Sequence, residues 1–226
     1  MNLLAVDSCS NVATCALTKD NKLIAEAVIN DKKTHSVKLL PLIEKLLNDV
    51  NTDVSEIDYF AVTAGPGSFT GQRIGIATVK GLCHAMRKKC VSVSSLEALA
   101  YNIPHTSYLV CPIMDARRDR VYTATFQNLN YLVGDRVIAL SELLNEVKGK
   151  DTIFVGDGVD VFRQTIIESN GNHAYFPPTH LVHLRAGSVA AAALKYIDKG
   201  LAVNWDELMP TYLQKSQAER EREENL

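Results

Sequence analysis

The order of predicted elements repeats along the chain, and no other feature of the sequence constrains the fold so strongly. Three short aliphatic segments come first, LLAVDS, VATCALT and KLIAEAVI, and the polar turns between them are typical of a β-meander. The apolar spacing in HSVKLLPLIEKLLNDV then predicts a helix, DYFAVTA a strand, and the segment that begins near Thr70 a second helix. This order, βββαβα, starts again near residue 107.

The second copy comprises the predicted strands YLVCPIMDA, RVYTATF and YLVGDRVIAL, the helix SELLNEVKG, the strand TIFVG and the helix VDVFRQTIIE. Two such units back to back are the plan of the actin-like and Hsp70-like fold (ASKHA, ribonuclease H-like). We therefore predict a two-lobed α/β protein with a duplicated βββαβα unit. The analogy concerns the fold and does not establish a function.

The segment SSLEALAYNIP separates the two copies. Its pattern predicts a short helix that Ser94 or Ser95 caps and Pro104 stops. We place an N-terminal actin-like lobe at residues 1–103 and a smaller, degenerate C-terminal lobe at residues 104–226. The charged end of the second lobe, SQAEREREENL, has no apolar face, so we expect it to be solvated.

Charge and cysteine content exclude several classes of protein. Lys and Arg number 24 against 26 Asp and Glu, so the chain lacks the positive charge of a protein that grips nucleic acid unaided. The five cysteines form no CxxC pair, which indicates reduced, buried thiols. The segment MNLLAVDS has no basic region, and no later apolar run reaches the length of a membrane span. We expect a cytoplasmic protein without membrane contact.

The stretch GPGSFTGQRIG, from Gly65 to Gly75, suggests a phosphate-binding loop because a glycine-rich turn before a helix presents backbone N–H groups. Its spacing does not fit GxxxxGK[ST], since Gly65 and Gly71 are one residue too far apart and Gln72 and Arg73 follow. Nor does Ser68 lie in the GxSxG context of a nucleophile elbow.

Two predicted hairpins stand where actin-like proteins hold nucleotide phosphates. The first, Asp7 to Asn11, keeps an aspartate but has no glycine. The second, Asp115 to Asp119, has two arginines where a slim backbone is wanted. The GDG at residues 156–158 is either a remnant of an adenosine loop or a turn with an aspartate cap. We expect no ATP hydrolysis in this cleft and no cofactor bound by this chain alone.

The DARRD segment has two interpretations. Alternating charges on a tight hairpin satisfy one another as exposed ion pairs worth about 0–1 kcal/mol each. Alternatively, Arg117 and Arg118 form a fork for a phosphate or carboxylate of a partner. Asp7, Asp115, Arg117 and Arg118 are therefore candidate phosphate or partner contacts.

Metal chemistry is not indicated. His35 has Leu39, not a second ligand, four residues further on, so we interpret it as a cap or surface residue. His180 and His183 form the one spaced pair, and no carboxylate adjoins them. We predict neither a metal site nor a catalytic triad.

The helix from Gly71 to Arg87 is apolar over most of its circumference, which predicts burial on several sides. Gly71, Gly75 and Thr78 follow one another on one face, and an interior glycine costs about 1 kcal/mol relative to alanine. Another backbone must therefore approach closely. It belongs either to the lobe's own sheet or to a second chain, and the helix over residues 39–50 is apolar enough to share that interface.

Six segments resemble the TsaB family, also called YeaZ, over nearly the whole chain: LLAVDSCSNVATCAL, HSVKLLPLIEKLL, GPGSFTGQRIGIATVKGL, VSVSSLEALA, MDARRDRVYTATF and PTYLQKSQAERE. The resemblance implies a noncatalytic partner of TsaD, the enzyme that transfers threonylcarbamoyl to adenosine 37 of tRNAs reading ANN codons. The ATPase TsaE is expected to join the pair, with nucleotide near the junction, and tRNA is contacted only indirectly.

The resemblance also implies that the two helices of the first lobe bind TsaD, or a second copy of the chain when TsaD is missing. Carried over, the contact residues are Leu39, Leu40, Ile43, Leu47, Arg73, Ile74, Gly75, Thr78 and Leu82. One departure from the family pattern is Tyr212-Leu213-Gln214, where YLR is usual.

Two other functions stay open at this point. A small actin-like ATP-dependent phosphotransferase would use Asp7 and Asp115. A peptidase is suggested by older names in the wider family, but the sequence offers no nucleophile with its base and no metal pair. Neither the complex stoichiometry nor the physiological relevance of a homodimer follows from the sequence.

Overall fold

A computed structural model describes residues 1–31 and 35–214, which form two five-stranded sheets with helices on their faces. The predicted charged tail lies outside the described residues. In the first sheet the strand order is β3-β2-β1-β4-β5. Its strands are β1 (Asn2–Asp7), β2 (Ala13–Lys19), β3 (Lys22–Ile29), β4 (Tyr59–Gly65) and β5 (Lys89–Ser94), and its helices are α1 (His35–Asp49), α2 (Phe69–Met86) and α3 (Ser95–Ala100).

The second sheet repeats this topology in the order β8-β7-β6-β9-β10. Its strands are β6 (Leu109–Asp115), β7 (Arg120–Gln127), β8 (Asn130–Ala139), β9 (Thr152–Val155) and β10 (Ala174–Tyr175), and the helices are α4 (Leu140–Glu146), α5 (Gly158–Asn170), α6 (Thr179–Val182) and α7 (Ala186–Asp198). In both sheets the first three strands are antiparallel and the last two run parallel to the first. The predicted duplicated βββαβα order is confirmed, and each copy adds a fifth strand.

The central strand β1 shows why the sheet is buried on both faces. Between its polar ends Asn2 and Asp7, the residues from Leu3 to Val6 are all apolar, as in a strand covered on both sides. Leu3 and Ala5 point into a core shared with the second sheet, and Leu4 and Val6 point into a core under α1 and α2. The molecule is therefore layered, with α1 and α2 outside the first sheet and α4 and α5 outside the second.

The end of the chain returns to the first lobe. Helix α7 packs on the first sheet, with Ala186, Ala190, Ala192 and Ala193 in the shared core. Beyond it, Val203 and Cys90 exchange backbone hydrogen bonds of 2.8 and 2.9 Å, and the N–H of Thr211 donates to Ala64 O at 2.7 Å. The sequence prediction places all of residues 104–226 in the second lobe, whereas α7, Val203 and Thr211 contact the first sheet in the structure.

Two smaller expectations concern cysteines and membranes. All five cysteines are buried, which confirms that part of the prediction, and none is paired with another. No helix within residues 1–31 and 35–214 has the length and apolarity required to cross a membrane.

The short helix α3 begins as predicted, since the hydroxyl of Ser94 accepts from the N–H groups of Leu96 and Glu97.

Candidate partner interface and inter-lobe cleft

The glycine-rich loop before α2 closes on the chain's own first hairpin, residues 8–12 between β1 and β2. The N–H of Ser68 donates to Cys9 O at 2.8 Å, and the hydroxyl of Ser8 donates to Gly71 O at 2.8 Å. A Cβ added at Gly71 would lie 1.9 Å from Ser8 O, a contact that no side chain tolerates. Internal contacts thus take up the donor and the space that a phosphate would need beside Gly71.

Gly75 also faces the chain itself. A Cβ there would lie 2.8 Å from the Ser8 hydroxyl and 3.3 Å from a methyl of Val62. The close backbone approach predicted from the glycine spacing is therefore to the lobe's own sheet and hairpin. The assignment of Gly75 to a partner interface is corrected.

Three residues of α1 that were predicted to contact a partner, two leucines and one isoleucine, also face the chain itself. Leu39, Ile43 and Leu47 are at most 5% exposed and lie in the core beneath α1 and α2. The apolar stripe of a helix packs first on its own sheet, and these residues form that stripe. They are therefore not available to a second chain in this structure.

The remaining predicted contacts lie on the outer surface of the two helices. Leu40 is 52% exposed and its neighbour Val37 is 72% exposed. Ile74, Thr78 and Leu82 are half-buried. We call the exposed part of this surface the outer α1–α2 face, and it comprises Val37, Leu40, Pro41, Arg73, Ala77 and Gly81.

Small residues give part of the outer α1–α2 face a low profile. Ala77 and Gly81 follow Arg73 at intervals of four, so the three lie along one side of α2. A Cβ at Gly81 would meet nothing within 4 Å. This glycine is thus not explained by contacts within the described chain.

Arg73 has an internal role as well. Its Nε donates to the Tyr212 hydroxyl at 3.0 Å, and the Tyr212 ring stacks on Phe69 at a centroid distance of 4.7 Å. Two residues later Gln214 donates from its side-chain amide to the hydroxyl of Tyr122 in the second lobe. The segment from Thr211 to Gln214 therefore joins the start of α2 to the second sheet, and Gln214 is the residue that replaces the usual arginine.

A cavity of about 340 Å³ lies between the lobes, and both hairpins and the start of α2 line it. Asp7 is not part of its lining, because the carboxylate is fully buried beneath the first hairpin. One carboxylate oxygen accepts from the Cys9 N–H at 3.0 Å and from the Thr63 hydroxyl, and burial raises the pKa of Asp7. Direct contact of Asp7 with a phosphate or a partner is therefore corrected.

The second hairpin, residues 116–119 between β6 and β7, shows the predicted ion pair. The Asp115 carboxylate accepts from the Arg117 backbone N–H at 2.8 Å and from its guanidinium at 3.0 Å. Arg117 lines the cavity, whereas Arg118 lines a separate depression between α4 and α5. The two arginines thus line separate depressions in the isolated chain, and their fork for a partner's phosphate or carboxylate stays a prediction.

Asp157, at the start of α5, also lines the cavity, and sequence reasoning missed it as a site residue. Burial, together with the charges of Asp115 and Asp7, raises the pKa of this carboxyl to about 6. One of its oxygens has no hydrogen-bond partner among the described residues. The GDG motif at residues 156–158, which contains Asp157, is the sequence signal that indicates this site. Because acidic groups surround this end of the cavity, it disfavours a bare phosphate.

The sequence predicted no metal site and interpreted His35 as a cap or surface residue. Its Nε2 lies 2.9 Å from Ser10 O, so the ring links α1 to the first hairpin. In the part of the chain that the structure describes, no group of three or more His, Cys, Asp and Glu side chains is arranged to hold a metal ion.

Known proteins resemble the chain over most of its length. A family model described as "TsaD: tRNA N6-adenosine threonylcarbamoyltransferase" matches residues 22–222. The tRNA threonylcarbamoyladenosine biosynthesis protein TsaB of Bacillus subtilis (strain 168) is 33% identical over 226 residues, which cover 97% of this chain and 96% of that protein. The chain belongs to the TsaD family and, within it, to the TsaB proteins. The resemblance predicted from the sequence is confirmed.

Solved structures agree with the TsaB assignment. YeaZ from Pseudomonas aeruginosa has a TM-score of 0.76 and 25% identity, and the match covers 94% of this chain and 99% of that one. Component A of (R)-2-hydroxyglutaryl-CoA dehydratase from Acidaminococcus fermentans has a TM-score of 0.55 and 12% identity over 88% of this chain and 98% of its own. The second likeness shows the fold alone, and the predicted two-lobed actin-like class is confirmed. TsaB proteins are named for the biosynthesis of threonylcarbamoyladenosine in tRNA.

Proposed function

We propose that this chain acts in the synthesis of threonylcarbamoyladenosine in tRNA as a noncatalytic subunit that binds the transferase TsaD. Membership of the TsaB proteins supports the pathway. The observation that carries the binding role is the outer α1–α2 face, where Val37 and Leu40 lie exposed on α1 and small residues lie exposed on the neighbouring helix α2.

The energetic argument starts from Val37 and Leu40. Burying a Val or Leu side chain from full exposure contributes about 1.5–3 kcal/mol, and both are more than half exposed in the isolated chain. Val37 and Leu40 would supply two such anchors, and the small residues Ala77 and Gly81 would let a partner helix approach α2 closely, because interaxial distance follows side-chain size. A compact apolar centre of this kind is the usual energetic core of a protein interface.

The cleft supports a noncatalytic role. Its glycine-rich loop is closed by the first hairpin, and acidic groups lie where phosphates would approach. The nearby nucleophile candidates are also engaged, since the Ser8 hydroxyl donates to Gly71 O. Burial and the charge of Asp7 raise the pKa of the Cys9 thiol, which keeps it in the unreactive neutral form. A peptidase mechanism finds no activated nucleophile in this cleft.

The test is heterodimer formation with the cognate TsaD, measured by titration calorimetry. Leu40→Asp and Gly81→Trp should each weaken binding by about thirtyfold or more, the effect of losing an interface hot spot. Neither change disturbs the core, because Leu40 is exposed and Gly81 faces open space. Ile167→Asp, on exposed helix α5 of the other lobe, is the matched control. Wild-type affinity in both interface variants would contradict the proposed surface.

The proposal extends to the other expected partners. TsaE would join the pair, with a nucleotide near the junction, and in the absence of TsaD a second copy of this chain would occupy the outer α1–α2 face. Light scattering of the isolated chain should then show a dimer that Leu40→Asp converts to monomer. A dimer that survives this change uses another surface.

An ATP-dependent phosphotransferase is the alternative, and the feature that favours it is the pair of carboxylates, Asp115 and the half-buried Asp157, that lines the cleft. Calorimetry of the isolated chain with Mg-ATP separates the two functions. We expect no binding, since the first hairpin closes the phosphate end of the cleft. Micromolar affinity with turnover would establish the enzyme instead.

A further inference from the structure

A second depression, of about 500 Å³, lies at the C-terminal end of α2, away from the inter-lobe cavity. It combines an aromatic ring with a run of cations. We call it the basic-aromatic patch, and its residues are His84, Arg87, Lys88, Lys89, Asn204, Trp205 and Asp206.

Trp205 is the single tryptophan of the chain and is 39% exposed. The ring of His84 meets it edge-on at a centroid distance of 4.7 Å. Its loop is anchored on both sides, by the backbone pairing of Val203 with β5 and by Leu208 in the core under α2. The structure therefore presents a large, partly exposed ring on a loop that is anchored at both ends.

Arg87, Lys88 and Lys89 line the same depression, and within the described residues none of them forms an ion pair. Arg87 adopts a left-handed backbone conformation, with φ of 53°, where α2 ends. Three adjacent cations stand out in a chain whose formal net charge is −2. Asp206 adds one carboxylate to the patch, and the C-terminal end of a helix carries partial negative charge. A small free anion is thus a poor match.

A ligand that offers both a flat ring and a row of separated negative charges fits better. Unpaired nucleotides have this chemistry, because a base stacks on an aromatic side chain while consecutive phosphates contact Lys and Arg. We infer that the basic-aromatic patch binds single-stranded or loop RNA, with a base on Trp205 and phosphates on Arg87, Lys88 and Lys89. This rests on the proposed function, in which the complex modifies tRNA, and adds a direct RNA contact to it.

The position of the patch agrees with that function. His84 follows Gly81 by three residues, or about 5 Å along α2, so the patch adjoins the outer α1–α2 face. RNA bound there would lie at the rim of a docked partner, in reach of both chains.

The emission of Trp205 reports binding directly, because no other tryptophan contributes. The full chain is titrated at low salt with a mixed-sequence RNA of about twelve nucleotides, a length within the site sizes of single-strand binders. We expect saturable quenching. The logarithm of the affinity should fall with the logarithm of salt concentration at a slope of about −2, the value for three phosphate contacts on a single strand.

Three variants test the assignment, with RNA binding followed by anisotropy of a labelled strand. Lys88→Ala with Lys89→Ala should weaken binding at least tenfold and flatten the salt slope, and Trp205→Ala should weaken it about tenfold. Lys19→Ala with Lys22→Ala removes the same charge near the opposite edge of the first sheet and should have no effect. No binding by the wild type, or equal losses in the two lysine pairs, would overturn the inference.

Affinity for the cognate TsaD is measured on the same variants and should be unchanged. If the patch variants lose TsaD and keep RNA, the patch is a protein contact and the inference is wrong. If the heterodimer forms normally while RNA does not bind, this inference alone fails. If wild-type chain binds RNA but not TsaD, the proposed function fails and the patch stands as an RNA site.

Discussion

The two hairpins that face the cleft hold equivalent places in the two copies of the unit, yet the first is closed and the second is open. Residues 7–10 of the first are buried and bonded to the loop and helix that follow β4. In the second, residues 117–119 are exposed, with three consecutive left-handed backbone conformations. Duplication has preserved the topology of the unit without preserving the environment of its turns.

The glycines at the helix starts account for the difference. In the first copy, Gly71 of α2 touches Ser8, one residue beyond the end of β1. In the second copy, Gly158 of α5 lies against Ile113, two residues before the end of β6. Helix α5 therefore meets its strand below the hairpin, and the tip of the second hairpin stays in solvent. A shift of a few residues in one helix–strand contact decides whether the turn is available to a ligand.

The largest effect should come from filling the contact that closes the first hairpin. Gly71→Ala places a Cβ against Ser8 O, and we expect unfolding free energy to fall by about 3 kcal/mol or more in urea denaturation. Gly81→Ala, on the same helix but facing open space, should raise it by up to about 1 kcal/mol. Equal effects at the two glycines would remove the basis for calling the first hairpin closed.

A smaller effect should come from the carboxylate beside the second hairpin. The pKa of Asp157 is about 6 when folded against a reference value of 3.8, so folding favours its protonated form. Stability contributed by this group is present below about pH 4 and is lost as pH rises through 6. Asp157→Asn should remove that slope and raise stability at pH 7 by about 1–2 kcal/mol, since a neutral amide avoids the cost of burying the charge and Asp157 makes no side-chain capping bond that the change could remove.

Urea denaturation at pH 4.5 and pH 7 measures this dependence. Asp198→Asn, on the exposed end of α7, serves as the control and should leave the slope in place. An unchanged slope in Asp157→Asn would mean that the acidic interior of the cleft does not affect folding.

The smallest effect should come from the open hairpin itself. Arg117→Ala with Arg118→Ala removes an exposed pair with Asp115, so stability should change by no more than about 0.5 kcal/mol in thermal denaturation. Binding of TsaD is measured alongside, with Arg163→Ala as a control on the outer surface of α5. A stability loss comparable to that of Gly71→Ala would show that the second hairpin is as integral to the lobe as the first.

The sequence was sufficient for the architecture because its periodicities are local. The signals for apolar strands, for the helix cap at Ser94 and for the turns each span only a few neighbouring residues. The duplicated unit could therefore be predicted. Which surface an apolar helix covers is a non-local question. The spacing of Leu39, Ile43 and Leu47 predicts a buried stripe. That spacing is the same whether the helix's own sheet or another chain covers the stripe.

The net charge of a whole chain also conceals local features, because it does not show which charges lie together in the fold. A formal net charge of −2 describes the whole sequence and says nothing of three cations gathered beside Trp205. The buried environment of Asp157 likewise depends on Asp115 and Asp7, which are distant in sequence and near in the fold. These features depend on tertiary contacts and became visible only with the structure.

The return of α7 to the first sheet has a consequence for how the protein is made. A ribosome that has released residues 1–103 has delivered every strand of the first sheet but not the helix that covers its inner surface. That surface includes Leu3, Ala5 and Val91. It lacks the cover of α7 until synthesis nears residue 198. Nascent chains with exposed apolar sheets aggregate readily, so chaperone protection while residues 104–198 are synthesised follows from this topology.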